Sequence, residues 1–396
     1  MPAKTTILIK NVMYQLPLQL ESLQPTPFYF YDLDLLNSTL DEVKRLTEGK
    51  PFFVHYAVKA NSNPVILNEI VSKGFGADLV SGEEIEVALE AGFSPSRMMF
   101  AGVGKTDREI NLGLVHDIAC FNVESIPELQ VIDELAQKAG KVARVAIRVN
   151  PDIDAHTHSY ITTATADNKF GISIEMLPQV VEMALALPGI QLMGLHFHLG
   201  SQITLMEPYR MLCERINSLL DFFDSRNVHF KIIDVGGGLG VDYSNPDANP
   251  IPSLERFFDI FTTHLHLREG QQLHFELGRA LVAQCGSLIA RVVYVKENRN
   301  KKFVILDAGM TQLVRPALYQ AHHLIQNLSA AHDSETDVYD VVGPICESSD
   351  VFGHNEQLPI THRGDIFAIR SAGAYGEVMA SRYNMRALPQ SVFYRS

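Results

Sequence analysis

Between about residues 50 and 276, short apolar runs alternate with longer segments of helical period, which is typical of βα units built on a parallel sheet. The runs with strand character are FVHYAV (53–58), GADLV (76–80), MMFAG (98–102), IACFN (118–122), VARVAIRV (142–149), LMGLHFH (192–198), FKIIDV (230–235) and LHFEL (273–277). Helix-start signals stand between them at Asn63, Ser81 and Ser125, and each of the two serines has a glutamate three residues later. Eight strands alternating with helices predict a closed (β/α)8 barrel of the TIM type.

The pattern changes after residue 277 to β-branched runs separated by polar or Gly/Pro turns, which predicts a mostly antiparallel β domain. These runs are SLIARVVYVKE (287–297), KKFVILDAG (301–309), DVYDVVGPIC (337–346) and DIFAIRSAGAY (365–375). Near the N-terminus, TTILIKNVMY (5–14) also has strand character, and we expect it to join the C-terminal β domain. The predicted division is a barrel domain over 28–272 and a β-sandwich or β-barrel-like domain assembled from 1–27 and 273–396.

Composition and charge narrow the classes of function. The 396 residues are 46% hydrophobic and 20% charged, the balance of an ordinary globular protein. With 33 Lys plus Arg against 46 Asp plus Glu, the net charge of −13 argues against nucleic acid as a partner. A small anionic substrate is still compatible, because arginines in a cleft can oppose the overall charge.

The four cysteines indicate a cellular location. They are widely spaced and form no CxxC pair, and we find neither a secretory signal nor an apolar stretch of about 18 residues. We therefore expect reduced thiols, a cytoplasmic protein and no membrane span. Cys120, Cys213 and Cys285 fall in apolar segments and are predicted to be core residues.

Reactive residues cluster at the predicted strand ends, where the active site of such a barrel lies. Lys59 ends the first strand, His198 the sixth and Glu276 the eighth, and the glycines 236–238 follow the seventh. A lysine amine partly desolvated at a strand end suits Schiff-base formation, although a solvated surface lysine is the plain alternative. The glycines allow backbone N–H groups to approach a phosphate, or they form only a tight turn; Val241 excludes the dinucleotide pattern GxGxxG.

A metal site is not expected. His196 and His198 share one face of a strand, but two histidines without a third positioned ligand are too few. The stretch with Asp152, Asp154, His156 and His158 resembles a polar loop more than a metal site. His198 suits packing on a flat cofactor ring, with a core histidine as the alternative.

The carboxylate of Glu276 also has two interpretations. It ends an apolar strand, so it needs a partner if it is buried. A protonated pyridine nitrogen or an ion pair with Arg279 would each serve, and the sequence does not separate them.

The β domain carries a second set of candidates. Cys346 and Glu347 stand side by side after a strand, and Arg315 and Tyr319 lie four residues apart, as on one helical turn. Tyr375 lies in the turn-rich AGAYGE. Each of these residues also has an ordinary structural interpretation.

Taken together, these motifs resemble the diaminopimelate decarboxylases, which are pyridoxal phosphate (PLP) enzymes with an alanine-racemase-like barrel. The resemblance runs in order from about residue 25 to 385. It is carried by HYAVKAN, GADLVSGEE, NKFGI, HFHLGSQ, GGGLG, ELGR, RPALY, GPICESSD and AGAYGEVMASRYN.

The resemblance implies a set of site residues. Those that would bind the cofactor are Lys59, His198, Ser201, Gly238, Glu276, Gly278, Arg279 and Tyr375. Those that would bind the amino-acid substrate are Arg279, Arg315, Tyr319, Glu347 and Tyr375. Those with catalytic roles would be Lys59, His198 and Cys346.

The same resemblance assigns roles. Lys59 would hold PLP covalently, His198 would stack on its ring and Glu276 would pair with the pyridine nitrogen. Cys346 would supply the proton that replaces the lost carboxylate, and Glu347 would recognise the distal ammonium group. The last two would come from the partner subunit, which implies a homodimer.

The implied reaction converts meso-2,6-diaminopimelate to L-lysine and CO2. Related decarboxylases of carboxynorspermidine, ornithine or arginine, and a non-catalytic PLP-binding homologue, are the alternatives. Where the family commonly has Glu-Pro-Gly-Arg, this chain has Leu277 in place of the proline. We expect a slightly looser loop there and no loss of activity.

Overall fold

The computed structural model describes residues 25–153, 169–331 and 334–396, together with the backbone of 7–9 and 12–14. The strands are β1 (Ile7–Ile9), β2 (Val12–Tyr14), β3 (Phe28–Asp32), β4 (Phe52–Ala57), β5 (Gly76–Leu79), β6 (Met98–Phe100), β7 (Cys120–Val123), β8 (Ala143–Asn150), β9 (Ile172–Ser173), β10 (Ile190–His196), β11 (Ile232–Asp234), β12 (Gln272–Leu277), β13 (Gly286–Asn298), β14 (Lys301–Leu306), β15 (Ile325–Asn327), β16 (Thr336–Val342), β17 (Val351–Pro359), β18 (Ile366–Ile369) and β19 (Gln390–Tyr394). The α-helices are α1 (Leu33–Thr47), α2 (Pro64–Ser72), α3 (Gly82–Glu90), α4 (Asp107–His116), α5 (Ile126–Lys138), α6 (Leu177–Ala186), α7 (Glu207–Asp224), α8 (Leu254–His264), α9 (Arg279–Val282) and α10 (Arg315–Tyr319).

The chain divides into two compact units. The barrel unit comprises Leu40–Gly240 and Ser253–Gly278. The β unit comprises Met1–Thr39, Val241–Pro252 and Arg279–Ser396.

The barrel unit contains a closed parallel barrel. Its eight strands are β4, β5, β6, β7, β8, β10, β11 and β12, all paired in parallel, and β10 closes the ring by pairing with both β8 and β11. The short strand β9 adds to the edge of β8. All eight apolar runs of the sequence form barrel strands, so the predicted fold is confirmed.

Helix starts in the barrel unit follow the predicted serine signals with one difference. Ser81 caps α3 by accepting the N–H of Glu84. The Glu84 carboxylate, however, accepts the N–H of Val80 at 2.8 Å, so the reciprocal half of the capping box is displaced by one residue. The full reciprocal box is at Thr106 and Glu109, which begin α4.

Aromatic side chains fix α8 against the last barrel strand. Phe257, Phe258 and Phe261 on one face of α8 all lie with ring centroids 5.0–5.7 Å from Phe275 of β12. The four rings are buried, and the edge-to-face geometry is the favourable one for aromatic pairs. This packing holds the strand that carries the next residue, Glu276.

The β unit is a mixed sheet of eight strands. The antiparallel pairs are β13–β14, β13–β18, β3–β13, β15–β18 and β16–β17, and the parallel pairs are β14–β16 and β3–β19. The prediction of a mostly antiparallel domain therefore agrees with the pairing.

The unit boundaries differ from the predicted ones. We assigned 28–272 to the barrel, but residues 28–39 and 241–252 group with the β unit. The cause at the first boundary is β3, which pairs with β13 and β19 rather than with a barrel strand. The backbone of β1 and β2 pairs as an antiparallel hairpin.

None of the helices in the described part of the chain combines the length and hydropathy that a bilayer crossing requires.

Candidate active site

Lys59 lies at the carboxyl end of β4, on a 3-10 turn formed by Val58–Ala60. A side chain at Gly278 would place its Cβ only 3.0 Å from the Cβ of Ala60. Glycine at 278 therefore allows the end of β12 to pack directly on the turn that carries the lysine. The Lys59 Nζ donates to Asp78 Oδ2 at 2.7 Å, and the lysine side chain keeps 34% of its surface exposed.

Asp78 provides the negative charge opposite this lysine. It is fully buried on β5. Burial raises its pKa, the charge of Glu276 raises it further, and the Lys59 ammonium opposes both. The aspartate thus depends on the lysine for its ionised form.

Glu276 is a buried carboxylate near the end of β12, 4% exposed. Its Oε1 accepts from Asn122 Nδ2 at 3.1 Å, and its Oε2 lies 3.3 Å from His196 Nε2. Burial alone would raise the pKa of Glu276, but the charge and hydrogen bond of His196, followed by the charge of Lys59, hold it well below its usual range. This carboxylate remains ionised inside the barrel.

His198 follows β10 and lies beside the same carboxylate, with Nδ1 at 4.0 Å from Glu276 Oε2. Burial, followed by the charge of Arg148, lowers the pKa of His198 to about 3. A neutral imidazole at this position can pack against a flat ring without adding a charge.

A third carboxylate lies next to Glu276. Asp234 is fully buried at the end of β11, where its Oδ1 accepts the N–H of Gly236 at 2.8 Å. Burial, followed by the charge of Glu276, raises the pKa of Asp234 well above its usual range. Ligating atoms of His196, Asp234 and Glu276 lie within 4.8 Å of one another, a spacing that a cation could bridge. Our sequence reasoning paired His196 only with His198 and missed this cluster.

Asp154, His156 and His158, which we predicted to form a polar loop, lie outside the described residues.

The glycines 236–238 form a tight loop after β11. A Cβ at Gly237 would lie 1.9 Å from the carbonyl oxygen of Glu276, and one at Gly238, whose φ is +92°, would lie 2.5 Å from that of Gly200. Any side chain at either position would collide with backbone. The half-buried Ser201 follows Gly200 directly. The loop after β10 and the glycine loop are also joined by a hydrogen bond from Ile203 N to Gly238 O at 2.8 Å.

Leu277 occupies the position of the family's usual proline. It is buried, ends β12 and is in register with Tyr56 of β4. The strand pairing therefore continues through this position.

The β unit contains a cluster of arginines and tyrosines. Arg279 Nη1 donates to the Tyr243 hydroxyl at 2.6 Å, and its guanidinium lies 4.8 Å from the centre of the Tyr375 ring. The Arg315 guanidinium lies 4.6 Å from the centre of the Tyr243 ring. Both arginines are buried, at 6% and 4% exposed. Tyr319 lies one turn after Arg315 on α10, as the spacing predicts.

A separate loop of the β unit carries Cys346 and Glu347, both exposed. Its base is held by the buried Asp350, whose Oδ2 accepts the N–H of Ile345 at 2.7 Å and whose Oδ1 accepts that of Met310 at 2.6 Å.

Residues 383 and 384 fix the tip of this loop. The Tyr383 hydroxyl donates to Glu347 Oε1 at 2.6 Å, and the N–H of Cys346 donates to Asn384 Oδ1 at 3.3 Å. The other three cysteines, Cys120, Cys213 and Cys285, are buried, so that prediction is confirmed.

Sequence reasoning missed several members of these clusters. They are Asp78, Asn122, Asp234, Tyr243, Tyr383 and Asn384. Asp78 and Asp234 each lie at or near the end of an apolar strand run, which is the signal that singled out Glu276. Tyr243 lies in a polar loop and Asn384 in the short 3-10 turn Tyr383–Met385, and neither has such a signal.

Comparisons with known proteins show the family of the chain. Residues 34–283 match the profile of the pyridoxal-binding domain of pyridoxal-dependent decarboxylases. The diaminopimelate decarboxylase of Bacteroides thetaiotaomicron is 54% identical over 92% of this chain and 94% of that protein. That of Vibrio cholerae is 41% identical over 91% of this chain and 85% of that protein. The crystal structure of the Helicobacter pylori diaminopimelate decarboxylase complexed with L-lysine has a TM-score of 0.90 at 38% identity, covering 95% of this chain and 93% of that one.

The barrel, the strand-end lysine and the matching profile define the class: the chain belongs to the pyridoxal-dependent decarboxylases. Within that class, an identity of 54% to a relative over 92% of the chain places it in the diaminopimelate decarboxylase family.

The residues of the barrel unit fit the cofactor of this class. A primary amine, an ionised buried carboxylate and a loop with no room for side chains match the aldehyde, the ring nitrogen and the phosphate of PLP. Buried polar atoms also remain without a hydrogen-bond partner among the described residues, namely Asp78 Oδ1, Asn122 Oδ1, His196 Nδ1 and Asp234 Oδ2. Buried polar atoms of this kind are normally satisfied, so their presence here is consistent with a polar ligand nearby.

Proposed function

We propose that the barrel unit binds PLP through Lys59, His198 and Glu276, while residues of the β unit bind the substrate. The reaction is the PLP-dependent decarboxylation of meso-2,6-diaminopimelate to L-lysine and CO2, the last step of lysine biosynthesis. One observation carries the assignment of the cofactor site: a strand-end lysine and an ionised, buried glutamate belong to the same barrel mouth.

The barrel residues then have distinct tasks. When bound, PLP withdraws the electron pair that remains on the substrate α carbon after CO2 leaves. Lys59 would hold the cofactor covalently through Nζ, which is the only reactive atom of its side chain. Asp78 holds the Lys59 ammonium through the 2.7 Å contact when the lysine is released. Glu276 stays ionised and so keeps a proton on the ring nitrogen, which favours the withdrawal of charge.

Two further groups of the barrel unit orient the cofactor. The neutral imidazole of His198 packs on the ring face. The backbone N–H groups around Gly238, with Ser201 and the segment from Glu276 through Gly278, bind the phosphate. Glycine is needed at positions 237 and 238 because this loop lies against neighbouring backbone.

The β unit supplies positive charge, whereas the barrel unit supplies buried carboxylates. Arg279 and Arg315 provide buried positive charge for a substrate carboxylate, and Tyr319 and Tyr375 provide hydroxyl groups. Glu347 binds the distal ammonium of the substrate, which a diamine precursor such as ornithine also has. Diaminopimelate differs from such a precursor in having a second carboxylate. This second carboxylate is the group that the two arginines would bind.

Cys346 completes the reaction. Its Sγ–H donates a proton to the α carbon in the place that CO2 leaves, and the resulting thiolate recovers a proton from solvent. The Cys346 thiol is exposed in the single chain. We propose that the enzyme is a homodimer in which this loop serves the site of the partner subunit.

We also propose a cytoplasmic location. The four cysteines are free thiols, and three of them are buried in the core, which suits a reducing compartment.

A substrate panel tests the proposed function. The purified PLP-loaded protein is incubated separately with meso-diaminopimelate, carboxynorspermidine, ornithine and arginine, and CO2 and the amine products are quantified. We expect meso-diaminopimelate to be preferred, with one L-lysine formed per CO2. Preferential release of a diamine or polyamine would reassign the substrate, and PLP binding without CO2 from any of the four would favour a non-catalytic homologue.

A further inference from the structure

His323 is a fully buried histidine with both ring nitrogens engaged. Its Nδ1 lies 2.7 Å from the carbonyl oxygen of Arg370, and its Nε2 lies 2.7 Å from Arg315 Nη1. The carbonyl can only accept, so Nδ1 carries the hydrogen. The guanidinium can only donate, so Nε2 offers its lone pair. The two contacts together define a single tautomer and a neutral ring.

Burial, followed by the charge of Arg315, keeps the pKa of His323 well below its usual range, which agrees with a neutral ring. The ring is also held edge-on to Tyr243, at 4.9 Å between centroids and 72° between planes. His323 is therefore fixed in both orientation and protonation.

Arg315 is the group that this histidine contacts. Among the described residues it forms no ion pair with a carboxylate, and its Nε has no hydrogen-bond partner. Burial lowers the pKa of Arg315, which reflects the cost of keeping a guanidinium in the core. A buried arginine without an acidic partner retains its full charge for an incoming anion.

We infer that His323 is a positioning residue that holds Arg315 for the substrate carboxylate without neutralising its charge. The inference rests on the proposed function of Arg315. A carboxylate in the place of His323 would orient the guanidinium equally well, but it would compete with the carboxylate of the substrate. A neutral imidazole supplies the acceptor and leaves the positive charge available.

A matched pair of variants separates these effects. Both variants are made in the full-length PLP-loaded enzyme. His323→Gln keeps a neutral hydrogen-bond acceptor next to Arg315. His323→Glu places an anion there that has almost the same shape as the glutamine. We expect the KM for meso-diaminopimelate to stay within about threefold of wild type in the Gln variant and to rise about tenfold or more in the Glu variant, with kcat changed less than KM. The inhibition constant of L-lysine, which retains one carboxylate, should follow the same order.

A third variant is needed in case the protein with His323→Glu does not fold. His323→Phe preserves the buried volume but removes the acceptor, and we expect about a tenfold higher KM than in the Gln variant. PLP absorbance and circular dichroism establish folding in each case. Equal KM values for the Gln, Glu and Phe variants, or for Gln and Phe alone if Glu does not fold, would overturn the role of His323. A wild-type enzyme that does not decarboxylate meso-diaminopimelate would instead overturn the proposed function.

Discussion

The two units bury charge of opposite sign. In the barrel, three buried carboxylates, Asp78, Asp234 and Glu276, share a small volume with a lysine and a histidine. In the β unit, two buried guanidiniums pack on tyrosine rings, and Arg315 has a neutral histidine as its partner. A charged group kept in a core is costly, so the ionised Glu276 and the two buried arginines each point to a ligand group of the opposite charge.

This contrast assigns a chemical group to each unit. The acidic cluster suits the protonated ring nitrogen of the cofactor, and the basic cluster suits a carboxylate of the substrate. Substitutions in the barrel should therefore change how the cofactor is held and how it reacts. Substitutions of Arg315, Cys346 or Glu347 in the β unit should leave the cofactor in place and change the handling of the substrate.

The largest effect is expected for Lys59→Ala. Without the amine there is no covalent link to PLP, so turnover should fall by about 10⁴-fold and the absorbance of the bound, linked cofactor should be lost. The matched control is Lys44→Ala, an exposed lysine of α1, which should keep both. An unchanged spectrum and rate in the Lys59 variant would show that another residue holds the cofactor.

Cys346→Ala tests the β unit. We expect a folded protein with a normal PLP spectrum and a kcat lower by about 10³-fold, because the proton donor is gone. Stopped-flow absorbance should show that substrate binding persists while product formation slows. Normal turnover would remove Cys346 from the reaction.

Glu276→Gln tests the charge of the acidic cluster while keeping its shape. The amide is neutral, so it no longer favours a protonated ring nitrogen, and we expect kcat to fall by about 10²-fold. The cofactor spectrum should shift as well, whereas Asp259→Asn on the exposed face of α8 should alter neither. A Gln variant with wild-type kcat and spectrum would mean that the ionised state of Glu276 is unimportant.

The smallest effect concerns stability in acid. His55 and His274 form a buried pair with Nε2 and Nδ1 2.9 Å apart, and burial lowers the pKa of His55 to about 4. The unfolded chain binds this proton near pH 6.5 and the folded chain does not, so stability is present above that pH and is lost as the pH falls toward 4. From pH 8 to pH 5 we expect His55 to contribute a loss of about 2 kcal/mol in the free energy of unfolding.

Urea denaturation at pH 8, 6.5 and 5 measures this loss. His55→Gln should flatten the decrease relative to wild type, and an identical pH profile in the two proteins would contradict the assignment to His55.

Much of the fold follows from the sequence because each barrel strand is buried on both faces and reads as a short apolar run. The boundary between the two units near residue 28 could not be predicted from apolar runs. FYFYD in β3 is as apolar as a barrel strand, and only its pairing with β13 and β19 assigns it to the β unit.

The site residues also fall into two groups, those that the sequence pattern indicates and those that it does not. Lys59 and Glu276 stand at strand ends where polar residues interrupt apolar runs, so the pattern singles them out. Tyr243 and His323 lie 80 positions apart in the sequence and are brought together by tertiary packing, as their edge-on rings show, and no local pattern encodes that contact. His323 is also adjacent to a second histidine, so the sequence alone does not indicate which of the two is buried.

Borohydride reduction followed by peptide mass mapping tests directly whether Lys59 holds the cofactor. Reduction of the PLP-loaded protein fixes the cofactor to the amine that holds it, and mass spectrometry then locates the modified peptide. We expect one reduced cofactor per chain, on Lys59. Modification of another lysine, or a cofactor that dialyses away unattached after reduction, would contradict it.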